Sequence, residues 1–470
     1  MDNFITELKV ALAKVDSFFE IEEVVFKHVL NLGCELMAEY LGQLDEKLHA
    51  EITGQHRNKG LVSRTIMTVM GPVNFKRHRY VGEGYALDKE LELVANQAMS
   101  GYLQLLMAKV AQRTTMRNTA DTINTLLNCG ISVGAVEKAV HTLGPKVAAE
   151  TRRLEEVVKR PKVPQHLTIE GDAFILKLKN KQRIEVHHFR TYEVENGKIV
   201  RQHDFLGLDL NRLRTRIQDF LERRYDLSNQ TIFLGSDAGP GYDPQAMLGL
   251  VPAIAQGEFV IDRYHTLQKI AGTFGHQSPL TAKAQTCLRN LDYRGLQAVL
   301  DTYEGYELTA DQLDDLRHLR NYLDRNWAYI PNPRQRGYQG WTRLGSVESS
   351  HRAWTYRMKR QGKSWTKHGL IAMVALIEAR INGNLTASLK RILIQATQLP
   401  TEVLGEAAQK AFVNADFHIR DVFRKGPVQA SCGAKQGRIY LDEATSRPLG
   451  QLVKKFKTLK VHIYGLPPKP

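Results

Sequence analysis

The stretch "TIFLGSDAGPGYDP", residues 231–244, decides how this chain is read. Thr231 to Leu234 favour a short buried strand, and Gly235-Ser236 end it. Asp237 then stands alone ahead of a loop of Gly and Pro. A carboxylate at the mouth of a buried strand is costly unless it meets solvent, a partner or a cation. The companions of Asp237 therefore identify the domain.

Upstream, the pattern alternates with period two. "LTIEGDAFILKL" (167–178) reads as a strand, "KNKQR" as a turn and "IEVHHFRTYEV" (184–194) as a second strand. Asn196-Gly197 is a strong hairpin signal leading into "IVRQHDFLGLDL" (199–210). Leu210, Leu213, Ile217, Phe220 and Leu221 then recur at helical spacing. Downstream of Asp237, "PQAMLGLVPAI" reads as a helix and "GEFVID" (257–262) as a strand. The order is β-β-β-α-β-α-β. Three antiparallel strands followed by α/β crossovers form the topology of a ribonuclease-H-like fold, although strand–helix alternation alone fits other α/β folds.

That topology makes the first and fourth strands neighbours, so Asp172 in "IEGDAFI" is expected beside Asp237. Residues 263–340 read as an all-helical insertion, with a capping box at Thr309–Gln312. Glu348 opens the helix that returns to the sheet and is expected to join the two aspartates. Clustered carboxylates repel unless cations hold them. Two Mg²⁺ or Mn²⁺ ions on such a cluster suit the cutting and joining of phosphodiesters. Gly171, Gly235 and Gly239 are expected to leave room for a bulky backbone. Plainer roles exist for each acid. Asp237 caps a helix near Pro244, Asp172 is an exposed strand residue, and Glu348 pairs with Arg352 at i,i+4. One by one these are favoured; together, function is. A rival metal reading uses Glu348–His351 and Asp262–His265, but the matching glutamates of a di-iron bundle are not evident. No phosphate-binding P-loop, nucleophile elbow or H-E-x-x-H motif occurs.

The 470 residues are enough for several domains. Lysine plus arginine exceed aspartate plus glutamate by 15, which suits a polyanion, nucleic acid above all. Cys34, Cys129, Cys287 and Cys432 are scattered, so neither a zinc site nor a disulfide framework is expected. No apolar run is long enough to span a membrane and no signal segment opens the chain. These features point to a cytosolic protein.

Residues 1–60 read as helical. "LVSRTIMTVMGPVNFKRHRY" (61–80) reads as two strands around a Gly71-Pro72 turn, with Lys76, Arg77 and Arg79 as either a charged edge or phosphate contacts. "NTADTINTLLNCGISVGAVEKAVHTLG" (118–144) has the shape of a helix-turn-helix. Its second helix, Val133 to Leu143, is capped by Ser132 and offers Glu137, Lys138 and His141 to a groove. The charged stretch 152–164 ends in two prolines and marks an expected boundary. Four regions follow: 1–60, 61–160, 161–385 and a basic carboxy-terminal region, 386–470, including "QLVKKFKTLK".

The chain resembles the ISLre-type insertion-sequence transposases, a bacterial group, from about residue 60 to 385. Five blocks carry the resemblance in order: "GPVNFKRHRY" with "YALD", "LTIEGDAF", "IFLGSDAG", "FVIDRYHTLQKI" and "GSVESSHRAWTYRMKRQGKSW". The second and third correspond to motifs usually written Glu-Ala-Asp and Gly-Asp-Gly. Gly171 replaces the alanine, and Gly-Ser-Asp-Ala stands for Gly-Asp-Gly-Ala. "SVESSHR" also departs from the usual Glu-Gly-His wording. The resemblance implies an Asp-Asp-Glu transposase with Asp172, Asp237 and Glu348 as catalytic and metal-holding acids. His265, Arg352, Arg357, Met358 and Trp365 would support the site or its DNA, and Lys359 and Arg360 would meet phosphates. Implied partners are double-stranded DNA, as element ends and target, and a second copy of the chain. The implied location is the bacterial cytoplasm, at the nucleoid. The alternatives are a DNA-binding protein without catalysis and a ribonuclease-H-like nuclease without strand transfer.

Overall fold

The computed structural model describes residues 2–157, 161–275, 278–339, 341, 344–359 and 363–394. The fold is mixed α/β. Two helices open it, α1 (Asp2–Leu12) and α2 (Phe18–Ile52), the second capped by the Ser17 hydroxyl. A hairpin follows, β1 (Asn58–Thr68) and β2 (Gly71–Tyr80), then the short β3 (Gly84–Tyr85) and α3 (Ala86–Glu90). The turn falls on Val69-Met70, and Gly71 is already the first residue of β2. Helices α4 (Gly101–Ala111), α5 (Met116–Leu126) and α6 (Val133–Glu156) lead to the main sheet.

That sheet contains β4 (Leu167–Lys177), β5 (Arg183–Glu195), β6 (Lys198–Gly207), β7 (Thr231–Ser236) and β8 (Gln256–Ile261). Their spatial order is β6-β5-β4-β7-β8. The first three are antiparallel, while β4–β7 and β7–β8 are parallel. Helix α7 (Leu210–Arg224) joins β6 to β7, and α8 (Pro244–Leu248) joins β7 to β8. The element order is the one expected from period and turn signals.

The insertion is helical throughout: α9 (Arg263–Phe274), α10 (Pro279–Asn290), α11 (Tyr293–Glu304) and α12 (Ala310–Asn326). The Thr309–Gln312 capping box opens α12 with both reciprocal bonds. Then α13 (Ser346–Met358), α14 (Lys367–Ile381) and α15 (Leu385–Ile394) return to the sheet.

The pleat of β4 sorts its side chains onto two cores. Leu167 and Ile169 face α7, Met247 and the insertion. Phe174 and Leu176 face the other way, against Trp354, Leu370 and Met373. This second core continues without interruption into Leu103, Met107, Val136 and Leu143 of α4 and α6. Packing therefore crosses the 152–164 stretch. Helix α14 is buried nearly all round, which is why its sequence is apolar on every face. Among the described residues no single helix is long and apolar enough to cross a membrane.

The helix-turn-helix candidate has a different use. Thr115 and Ser132 cap α5 and α6, and Gly130 turns the chain at φ +60°. However, α6 runs on to Glu156, well past Leu143, and packs along α14. A Cβ on Gly144 would lie 2.5 Å from the backbone of Ala372, so the two helices meet at closest approach there. One face of α6 packs on α14 while exposed residues, Lys138 among them, recur along the rest of its length. The carboxy-terminal region expected to be basic lies outside the described residues beyond Ile394.

Candidate functional site

The register of β4 on β7 builds the site. Leu167 to Glu170 pair with Ile232 to Gly235, ending at Glu170–Gly235. Asp172 stands two residues past Glu170 within β4, and Asp237 two residues past Gly235, just beyond the end of β7. Beyond Ser236 the chain turns sharply. The Asp237 Oδ1 accepts the Gly239 N–H at 2.8 Å, Ala238 is left-handed at φ 56°, and the Tyr322 hydroxyl of α12 donates 3.2 Å to the Asp237 carbonyl. A left-handed alanine costs about 1–2 kcal/mol, and such strain collects at functional loops. The helix-capping role near Pro244 belongs to Asp243 rather than Asp237.

Asp172 pairs with His188 of β5. Its Oδ1 accepts the Ala173 N–H at 2.7 Å, and its Oδ2 lies 3.4 Å from Nδ1 of His351 on α13. Burial drives His351 down to about 3, helped by nearby His188 and Arg190, so this imidazole is neutral in neutral solution. It orients Asp172 without cancelling its charge. Behind it, His188 meets Asp204 at 2.5 Å, and Arg190 holds the same carboxylate through Nε at 2.9 Å and Nη2 at 3.0 Å.

Helix α13 is docked by a residue the sequence reading did not single out. Glu170 is buried, and its carboxylate accepts the N–H groups of Gly345 (3.1 Å), Ser346 (3.2 Å) and Val347 (3.1 Å), plus the Tyr192 hydroxyl at 2.6 Å. It supplies the cap that Gly345 cannot. Arg190 adds a bond to the Ser346 carbonyl at 2.9 Å. The third residue of the helix thus clamped is Glu348. The signal was available in part: Glu170 and Asp172 are two apart on a strand and so share a face.

Asp172, Asp237, Asp262 and His265 line one narrow cleft of about 20 Å³ with Gly235 and Gly345. Asp262 follows β8, caps α9 and lies 4.0 Å from His265. The rival D-x-x-H pair therefore belongs to the same cleft as the aspartates. The glycines are not openings for a ligand. A Cβ on Gly171 would meet Phe189 at 2.7 Å, one on Gly235 would meet Leu344 at 2.2 Å, and one on Gly239 would meet Asp237 at 3.0 Å.

Two hard carboxylates lining one cleft suit Mg²⁺ or Mn²⁺, which keeps waters and takes few protein ligands. Among the described residues no three His, Cys, Asp or Glu side chains close into a cage. The side chains of Glu348 and Arg352, and Arg360 altogether, lie outside the described residues.

Several of the expected DNA-facing residues are largely buried against protein groups. Arg77 is buried, over the Tyr85 ring at 3.7 Å and ion-paired with Asp88 at 2.5 Å, which Arg64 also holds. Its neighbour His78 is bound to Asp45. Arg357 is 3% exposed and donates its Nε–H to the Ala111 carbonyl at 2.7 Å. Trp365 is buried under that guanidinium and bonds the Met358 carbonyl; Met358 is also core. Lys76, Arg79, Lys138 and Lys359 are exposed as expected of surface cations.

Residues 13–391 match the family described as "Uncharacterised protein family (UPF0236)". A relative from Streptococcus gallolyticus, described as "UPF0236 protein in vanSb 3'region", is 26% identical over 466 residues. That alignment covers 96% of this chain and 99% of the relative. Among solved structures, a chain of the Drosophila P element transposase strand transfer complex aligns at 8% identity and a TM-score of 0.24. It covers 72% of this chain and 91% of that one, and so low a score carries no argument. The family match takes in the whole acidic cleft and the helix clamped beside it, and the chain belongs to the uncharacterised protein family UPF0236.

Proposed function

We propose that the protein is a metal-dependent DNA transposase with a ribonuclease-H-like core. The observation that carries this reading is that Asp172 of β4 and Asp237, which directly follows the parallel strand β7, line one cleft, with the first turn of α13 held beside them. The strand order β6-β5-β4-β7-β8 and the directions of its pairs support the fold part of the reading. The net charge of +15 supports a polyanionic partner.

Asp172 and Asp237 would hold one or two Mg²⁺ or Mn²⁺ ions, with Glu348 completing the set from α13. When bound, such ions supply an activated oxygen nucleophile and charge stabilisation at the leaving oxygen. The chain's own residues do the rest. Glu170 fixes the approach of α13, His351 orients Asp172, and the Tyr322 bond steadies the Asp237 turn. The reaction frees a 3′-hydroxyl at an element end and then joins it to target DNA. Paired ends call for at least a dimer. Exposed cations such as Lys76, Arg79, Lys138 and Lys359 would meet phosphates, making affinity steeply salt-dependent.

The test is strand transfer with element-end DNA and Mg²⁺ or Mn²⁺. Asp172→Ala abolishes joining while duplex binding persists. Full joining by that variant would overturn the reading. Cleavage without joined product in the wild type would select the nuclease alternative.

A further inference from the structure

The far end of α13 meets a second, chemically opposite cavity of about 190 Å³. Arg357 and Lys363 line it, with exposed Lys179 at its edge. Arg357 spends its Nε–H on the Ala111 carbonyl, and its terminal nitrogens meet no carboxylate among the described residues. The Lys363 Nζ is buried and has no hydrogen-bond partner among the described residues. Burial alone lowers Arg357 to about 10, and burial with the adjoining Arg357 charge lowers Lys363 to about 8. Both remain cations in neutral solution. The acid at the rim, Glu137, leans to His141 at 3.9 Å instead.

Three helices also start at this cavity. Thr115 and Met116 open α5, Val133 opens α6, and Thr366 caps α14. Each side-chain cap takes one N–H, on Asn118, Ala135 and Gly369. The first N–H groups of each helix have no intrahelical acceptor and carry the positive end of the dipole. Buried cations facing three positive helix ends are costly without an anion between them.

We propose that this cavity binds a phosphate-class oxyanion, held by Lys363 Nζ and the free end of Arg357 against the starts of α5, α6 and α14. The anion comes either from a nucleic-acid backbone or from free phosphate. The backbone source fits the spacing: Arg357 lies nine residues beyond Glu348 on α13, about 14 Å along the axis. That is about four nucleotide rises of a strand. The inference stands whether or not the acidic cleft is catalytic.

The test uses the full-length protein, with inorganic phosphate and a mixed-sequence DNA duplex as separate probes in calorimetry at matched chloride. Lys363→Met removes the partnerless ammonium at little risk to folding, and Lys146→Met, outside the cavity, is the charge control. Lys363→Met should weaken phosphate binding about tenfold, as expected for one charge-assisted hydrogen bond, while the control does not. A parallel loss with the duplex identifies the backbone as the source. A loss with phosphate alone identifies the free ion. Neither probe depending on Lys363 overturns the proposal. Asp172→Ala should leave phosphate binding intact, so failure of the cleft reading is separable from failure of this one.

Discussion

Glu170 and Asp172 stand two residues apart on one face of the same strand, yet they live in opposite circumstances. Glu170 is 4% exposed and accepts four hydrogen bonds, three from backbone at a helix start and one from Tyr192. Asp172 opens onto a cleft beside Asp237 and is oriented by a neutral histidine. The same division runs through the sheet. Asp204 is buried under His188 and Arg190, and Glu193 under Lys162, Arg201 and Tyr225. Asp237 meets no lysine or arginine among the described residues. Carboxylates whose oxygens are spent on the protein hold the fold together. Asp172 and Asp237 line a cleft instead.

The largest effect that sharpens this contrast is at Glu170. Glu170→Ala leaves a helix start and a buried tyrosine hydroxyl without their acceptor and should cost about 3–5 kcal/mol of stability. Urea unfolding measures it, and Glu170→Gln, which keeps an acceptor, should recover part of the loss. A Glu170→Ala protein as stable as the wild type would break the comparison.

A smaller effect comes from acid. Burial pushes Asp204 up, but the bonds from His188 and Arg190 prevail and hold it below the usual carboxylate range. Glu193 is likewise lifted by burial and held down by Arg201, Lys162 and Tyr225. A carboxylate with a depressed folded pKa stabilises the fold above its unfolded pKa of about 4 and loses that contribution as pH falls through the folded value. Stability measured by thermal unfolding should therefore decline below about pH 4, and Asp204→Asn should start lower and decline less steeply.

Much of the sheet was readable from sequence because its signals are local. Period-two runs, the Asn196-Gly197 hairpin and the amphipathic Leu210–Leu221 segment each specify an element within a few residues. The neighbour relation of Asp172 and Asp237 followed from the topology those elements imply. The capping box at Thr309 was equally local. What escaped was set by contacts between distant segments. Nothing near Arg77 announces Asp88 beneath it, and nothing near Arg357 announces the Ala111 carbonyl. The helix expected to end at Leu143 runs on to Glu156, because Gly144 admits α14 and the helix continues through Pro145. Glycines beside the acids were expected to admit a ligand, yet Phe189, Tyr242 and Leu344 fill the space at Gly171 and Gly235.

The most direct test of the central contrast is Mn²⁺ binding by calorimetry on the wild type, Asp172→Asn and Asp237→Asn, with thermal unfolding of each. The cleft reading predicts that the wild type binds the ion. Both variants should lose that binding while their stability stays within about 1 kcal/mol, because asparagine keeps an oxygen acceptor at each position. Equal Mn²⁺ binding in all three proteins, or a collapse of stability in the variants, would contradict it and return both aspartates to the structural class of Glu170.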